Sequence, residues 1–449
     1  MAATEPAAVA PATGHEDILR RQSLREPAAR TYARSLPVVP VRARGLTIEG
    51  ADGRRYLDCT SGAGTLALGH NHPVVLEAVK RVIDSEAPLH VLDLATPVKD
   101  AFTTELFATL PASLAREARI QFCGPAGTDA VDAALALVRA ATGRNGLLAF
   151  TGAHHPYGTA PGTPDTPGIS DIRVTRLPYP HPYRCPFGVG GERGAELAAR
   201  WAENVLDDPE TGATAPAAMI VEPVQGGGGV VPAPDGWLRR MREITSARSI
   251  PLVADEVLTG VGRTGAFWAV EHSGVVPDVM VMSKALGGSL PLSVIVYRAG
   301  LDSGRPGAPA GAFRGNQLAM AAGAATLAYV RENRLAERAA SLGTRMLVCL
   351  RELAAAHPCV ADVRGRGLMI GVELVDPAAP GDVPPPAPAL ADAVRRECLS
   401  RGLIVGAGGR RSGVVRLLPP LTVTDEQATA VLDRFADALA AAERALVPA

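Results

Sequence analysis

The chain has 449 residues, 45 Lys and Arg against 46 Asp and Glu, a net charge of −1 and 47% hydrophobic residues. That balance gives no field for capturing nucleic acid or an anionic membrane surface, and the composition is that of a chain able to bury a large core. Six cysteines without a C-x-x-C pair fit neither a zinc site nor a disulfide framework, so reduced, mostly buried thiols in a cytoplasmic protein are expected.

Residues 1–14 are rich in Ala, Pro and Thr, include Glu5, and lack a basic segment followed by an apolar one. They read as a disordered tail and not as a signal peptide, and no apolar run is long enough to span a bilayer. Residues 15–34 are polar with helical spacing, and 46–49 and 55–57 flank Ala51-Asp52-Gly53 as a hairpin. From about Pro73 short apolar runs alternate with helical stretches. Strands are predicted over 119–123, 146–150, 218–221, 252–254, 279–282 and 293–297, several of them apolar without alternation, as expected when both faces are covered. Helices are predicted over 129–141, 192–206 and 236–246. This order predicts a large α/β domain around a mostly parallel sheet over residues 57–325. Long amphipathic helical patterns at 319–332 and 334–356 precede an apolar segment at 368–374, a Pro-rich surface loop at 377–388, a helix from Ala389 and a short strand at 414–417. Residues 326–449 are therefore expected to form a smaller α+β domain, with the N-terminal segment 15–56 packing with it.

Three motifs fall at the ends of predicted strands, where open α/β sheets hold their ligands. Gly124-Pro125-Ala126-Gly127-Thr128-Asp129-Ala130 follows a strand and opens a helix, so its free N–H groups and the positive helix end suit a phosphate; capping alone also accounts for such residues. Asp255 ends an apolar run and needs a cationic or hydrogen-bonding partner, a protonated pyridinium nitrogen being one and a local cap or ion pair the plainer one. Lys284 ends the run Met280-Val281-Met282-Ser283, just before Ala285-Leu286-Gly287-Gly288. Partial desolvation there would lower its pKa and make it an imine-forming amine, where a surface lysine would simply snorkel. The separation of Asp255 and Lys284 leaves room for one crossover between neighbouring strands.

Gly260, Gly262 and Gly265 also spell G-x-G-x-x-G, but Ala266-Phe267-Trp268 and Gly274 follow, leaving a short helix at best; dinucleotide binding is the minor alternative. His70 and His72, and the adjacent His154 and His155, lack the spacing or clustered carboxylates of a metal site, and no metal is expected.

Over nearly its whole length the chain resembles the class III, fold type I aminotransferases, and most of all their diaminobutyrate–2-oxoglutarate branch. The resemblance rests on Gly127-Thr128-Asp129-Ala130, Leu177-Pro178-Tyr179, Tyr183-Arg184-Cys185-Pro186-Phe187-Gly188 and Val221-Glu222-Pro223-Val224-Gln225-Gly226. It continues through Pro232-Ala233-Pro234-Asp235-Gly236-Trp237-Leu238, Asp255-Glu256-Val257, Thr259-Gly260-Val261-Gly262-Arg263-Thr264-Gly265, Pro277-Asp278 and Ser283-Lys284. Phe313-Arg314-Gly315-Asn316, Gly365-Arg366-Gly367 and Arg416-Leu417-Leu418-Pro419-Pro420-Leu421 complete it. The resemblance implies pyridoxal 5'-phosphate as cofactor, with Lys284 carrying it as an imine and shuttling the proton at the substrate α-carbon. Asp255 would keep the pyridine nitrogen protonated. It implies phosphate binding by Gly127 and Thr128, a substrate carboxylate on Arg416, and supporting places for Glu222, His155 and Asp129. It further implies a homodimer with shared sites, a small-molecule amino donor and an aldehyde or keto acceptor. The reaction implied moves an amino group between glutamate or 2-oxoglutarate and an ω-aldehyde such as L-aspartate 4-semialdehyde, giving L-2,4-diaminobutyrate.

Four positions depart from the family pattern. His154 stands where a Tyr or Phe stacks on the ring, Gly227 where a glutamate can pair with the carboxylate-binding arginine, and Leu258 where a glutamine hydrogen-bonds the ring hydroxyl. Ala312 stands where a threonine of the neighbouring subunit reaches the phosphate, a loss that should cost about 1.5–3 kcal/mol. Two alternatives stay open. Gly227 and Leu258 motivate a specialised biosynthetic enzyme working by decarboxylation, elimination or amination of an unusual aldehyde; His154 and Ala312 motivate a non-catalytic relative that kept the fold.

Overall fold

The computed structural model describes residues 14–26, 36–153, 172–211, 215–302, 304, 312–409 and 412–446. Helix α1 (His15–Arg25) stops short of the predicted Arg34 because Glu26 is already extended; residues 27–34 lie outside the described residues. The hairpin forms as β2 (Thr47–Gly50) and β3 (Arg55–Asp58), with β1 (Pro40–Arg44) added antiparallel on the β2 side. Asp52 closes its turn by accepting from the Arg54 N–H and the Tyr56 hydroxyl.

Next come α2 (Pro73–Asp84) and α3 (Pro97–Phe107), each opened by a proline where no intrahelical N–H is needed. The central layer is then built from β4 (Ala118–Phe122), α4 (Gly127–Thr142), β5 (Gly146–Phe150), β6 (Arg173–Leu177), α5 (Gly191–Asp207) and β7 (Pro216–Val221). A small hairpin, β8 (Val224–Gln225) and β9 (Val231–Pro232), leads to α6 (Asp235–Ala247), β10 (Leu252–Asp255), β11 (Val279–Met282) and β12 (Val294–Arg298). These form a seven-stranded sheet in the order β4-β12-β11-β10-β7-β5-β6, in which β12 runs against both of its neighbours and the other pairings are parallel. Every residue of β7, β10 and β11 is buried, which is why these strands read as unbroken apolar runs. Strand β6, with the sequence RVTRL, sits at the sheet edge with mostly part-exposed side chains, so its strand nature has no apolar signature.

Beyond α7 (Gln317–Glu332) and α8 (Leu335–Ala356) lie β13 (Val360–Arg366), β14 (Met369–Leu374), α9 (Pro388–Ser400), β15 (Leu403–Ile404), β16 (Gly406–Gly408), β17 (Val414–Leu417) and α10 (Asp425–Leu446). β13, β14, β17 and β16 make an antiparallel sheet, while β15 joins the N-terminal hairpin by pairing parallel with β3. Among the described residues no helix is long and apolar enough to cross a membrane.

Candidate active site

β10 and β11 pair in parallel, and β4 runs in the same direction across the antiparallel β12, so the C-terminal ends of all three lie at one edge of the central sheet. A cavity of about 440 Å³ opens there, lined by Asp255 and Lys284 together with Glu222, Val257, Leu258 and Arg416. Gly226, Gly227, Ala63 and the end of β16, Ala407 to Gly409, close it. Lys284 stands two residues past β11 in the left-handed region, with φ +48°. Its turn packs on α7 so closely that a Cβ on Gly288 would come within 2.4 Å of the Ala322 carbonyl oxygen, so only glycine fits. Burial pushes the Lys284 ammonium below the ordinary lysine range; the Asp255 carboxylate opposes this and Arg416 adds to it. Asp255, itself buried, accepts from the Val257 N–H at 2.9 Å.

Gly127 opens α4 against these residues: a Cβ on it would lie 2.8 Å from Val257 Cγ1 and 3.5 Å from Ser283 Cβ. The helix start is therefore packed directly against the residues that flank Asp255 and Lys284. Thr128 is exposed at that start. Asp129, expected beside a cofactor, turns its carboxylate back to accept from the Ala126 N–H at 2.9 Å and so caps its own helix.

On the opposite side Arg416 is largely buried, and burial lowers its pKa. Its Nη1 donates to the Gly226 carbonyl at 3.2 Å, while its Nε finds no acceptor among the described residues. Gly227 faces the cavity and brings no carboxylate to it. Glu222 accepts from the Gly226 N–H at 3.0 Å, anchoring the same turn. Leu258 belongs to an apolar wall with Val224, Val230, Met369 and Leu418, and its methyls crowd the Cβ positions of Gly64 and Gly226. Ala312 does not line the cavity; it is exposed, and its carbonyl meets the His90 ring. His154 and His155 lie outside the described residues.

The residues between Gly260 and Gly265 form a turn that is followed by Phe267-Trp268 and a single 3-10 turn, Ala269–Ser273, so there is no helix start to hold a dinucleotide. Among the described residues no three His, Cys, Asp or Glu side chains cluster as metal ligands. Val257, Ala63 and the glycine-rich β16 were missed as lining residues by sequence reasoning. None carried a local signal; even Val257, two residues beyond Asp255, lies in the turn after β10 and not on the strand.

Glu256, adjacent to Asp255, is buried away from the cavity, accepting from the Thr259 hydroxyl and, at 2.9 Å, from the Val270 N–H. Burial pushes its pKa up to about 7 from 4.5, in spite of those hydrogen bonds. The folded state thus holds this proton more tightly than the unfolded chain, so its contribution is complete below 4.5 and is lost as pH rises towards 7. Glu256→Gln is expected to melt a few degrees higher, relative to the unsubstituted protein, at pH 8 than at pH 5, an effect of about 1–2 kcal/mol in thermal melts. An unchanged difference across that range would mean the carboxylate is ionised throughout.

A family model described as aminotransferase class-III matches residues 28–439. The chain belongs to the class III aminotransferases. This aminotransferase is 50% identical over 436 residues to a diaminobutyrate–2-oxoglutarate aminotransferase of Rhizobium meliloti, covering 94% of this chain and 92% of that protein. It is 42% identical over 433 residues to one of Haemophilus influenzae, covering 94% of each. Its fold is that of an (S)-enantioselective omega-transaminase from Thermomicrobium roseum, with a TM-score of 0.83 at 26% identity over 96% of this chain and 99% of the other. The ornithine aminotransferase of Toxoplasma gondii superimposes with a TM-score of 0.77 at 25% identity, covering 96% and 95%. The aminotransferase therefore has the fold type I architecture, and its family implies pyridoxal phosphate as cofactor.

Proposed function

We propose that this aminotransferase works with pyridoxal 5'-phosphate held on Lys284, moving an amino group between glutamate or 2-oxoglutarate and L-aspartate 4-semialdehyde, with L-2,4-diaminobutyrate as the other partner. The observation that carries the reading is a desolvated amine, Lys284, sharing one cavity with the Asp255 carboxylate at the ends of neighbouring strands. The donor set fits the cofactor: an amine to hold it, a carboxylate for a protonated ring nitrogen, and a helix start at Gly127 and Thr128 for a phosphate. When bound, the cofactor supplies an electron sink for charge developing at the carbon that bears the reacting amine.

The protein's own groups then do the following. Lys284 takes and returns the proton at that carbon, Cα of glutamate or C4 of L-2,4-diaminobutyrate, a task that the lowering of its pKa by burial favours. Asp255 holds the proton on the ring nitrogen. Arg416, on the wall of the cavity and with Gly227 supplying no competing carboxylate, receives a carboxylate of the substrate. Leu258, Leu418 and Val257 keep water from that part of the cavity. Both relatives above carry the diaminobutyrate–2-oxoglutarate name, which supports the substrate pair.

The working unit is a homodimer in the cytoplasm. Leu89, Leu92, Leu94 and Phe313 are exposed, Leu94 by 67% and Phe313 by 64%, beside Ala312; six free thiols suit a reducing compartment. One preparation tests the reading. Purified protein is loaded with pyridoxal 5'-phosphate, its mass is measured by light scattering, and its visible band is followed on adding L-2,4-diaminobutyrate or glutamate. Loss of the band with either amine, and its recovery with 2-oxoglutarate, is expected from a particle of twice the chain mass. A band that ignores both amines would overturn the substrate pair and favour the specialised chemistry that Leu258 and Gly227 suggest. A monomeric mass would overturn the dimer.

A further inference from the structure

The turn Gly226-Gly227-Gly228-Gly229 lines the cavity at Gly226 and Gly227, and it runs into Val230, a fully buried β-branched residue with φ +57°. Valine is among the residues least suited to the left-handed region, and in such cases the surroundings must impose the conformation. They do so through Arg364 on β13, which is 5% exposed. Its Nε donates to the carbonyls of both Gly229 (3.0 Å) and Val230 (3.1 Å). Successive carbonyls of an extended chain point to opposite sides; here both converge on one N–H, as a turn at Val230 allows. The guanidinium is oriented from behind by Glu373 (2.6 Å) and Asp362 (2.8 Å), and Glu373 is held in turn by Arg184.

The other end of the turn faces the reaction. The Gly226 carbonyl accepts from Arg416, and the Gly227 carbonyl accepts from the Gly409 N–H at 3.0 Å. Val230 itself contributes its side chain to the apolar wall that includes Leu258, which gives a reason for valine where glycine would be unstrained.

We infer that Arg364 is a positioning residue: by clamping the Gly229 and Val230 carbonyls it holds Val230 left-handed and so sets the Gly226–Gly229 turn against Arg416. The inference deepens the reading of Arg416 as the carboxylate site and rests on it.

The test uses the full-length, cofactor-loaded protein and glutarate, an unreactive dicarboxylate, with affinity measured by calorimetry. Arg364→Lys keeps the charge but loses the planar fork. It is expected to weaken glutarate about tenfold while leaving the visible cofactor band unchanged. Val230→Gly removes the strain that Arg364 holds, so adding Arg364→Lys in that background should cost no more than about twofold. Equal losses in the two backgrounds would overturn the inference, as would unchanged glutarate binding in Arg364→Lys. If Arg364→Lys does not fold, Glu373→Gln, which loosens the guanidinium without removing it, should show the same coupling to Val230→Gly in smaller measure, and additivity there overturns it equally. Arg416→Gln separates the two claims. Should it leave glutarate affinity unchanged, the carboxylate reading fails, and coupling between Arg364→Lys and Val230→Gly in melting temperature then decides the clamp by itself.

Discussion

Lys284→Ala is expected to lower kcat by about 10⁴-fold and to abolish the visible band of the loaded enzyme, because one side chain both holds the cofactor and moves the proton. No other lysine lines the cavity among the described residues to take over either task. The same substitution has an expected signature in stability. Burial lowers the Lys284 pKa, so in the cofactor-free protein the folded state binds this proton less tightly than the unfolded chain. Stability due to this group therefore rises with pH through the depressed value and up to 10.5, the ordinary lysine value. Lys284→Ala should accordingly melt above the cofactor-free parent at pH 7 and lose that advantage near pH 10. Because the residue stands at φ +48°, Lys284→Gly should be more stable than Lys284→Ala by about 1 kcal/mol. Thermal melts of the three proteins, beside initial rates, check all of this. Retention of more than a few per cent of the rate in Lys284→Ala would remove Lys284 from the chemistry.

The second large effect concerns Arg416. Arg416→Gln is expected to reduce kcat/KM for carboxylate-bearing partners by about 10²–10³-fold, the worth of a desolvated, charge-assisted pair of about 2–4 kcal/mol. An amine without a carboxylate at that end should be turned over no more slowly than before. The guanidinium is buried, donates one hydrogen bond to a neutral carbonyl, and has an Nε without an acceptor among the described residues. Removing such a charge should leave the substrate-free protein as stable or slightly more so. A rate loss shared equally by substrates with and without the carboxylate would show that Arg416 supports the wall of the cavity and does not read the substrate.

These residues differ in how visible they were beforehand. Asp255 and Lys284 each end an unbroken apolar run, and a charged group in that place is costly unless it has work to do. Gly127 and Thr128 follow a strand and start a helix, which is a local pattern. Arg416 was legible only through resemblance, since its own strand offers no reason for a buried cation. Asp129, a supporting position by resemblance, caps the helix that starts at Gly127, because a carboxylate at the third helical position reaches back to the N–H of Ala126. The departure at Leu258 reads differently in three dimensions. It is seated in an apolar cluster with Val224, Val230, Met369 and Leu418, so the loss of a polar residue there is matched by its surroundings.

From the sequence by itself came the α/β alternation, the fully buried strands, the ends at which ligands would sit, and the family. These follow from periodicity, burial cost and turn chemistry, all of which act over a few residues. Only the tertiary structure decided that Asp255 faces the cavity while Glu256 is buried behind it, since the phase of alternation depends on which side of the sheet is covered. It alone brought Ala63, Gly226, Gly227 and the end of β16 to the same cavity, and paired β15 with β3 across more than 300 residues of chain. It alone revealed the clamp of Arg364 on Val230. Such contacts join segments whose local preferences are silent about one another, and a left-handed valine contradicts its own preference, so nothing short of the folded chain could disclose either.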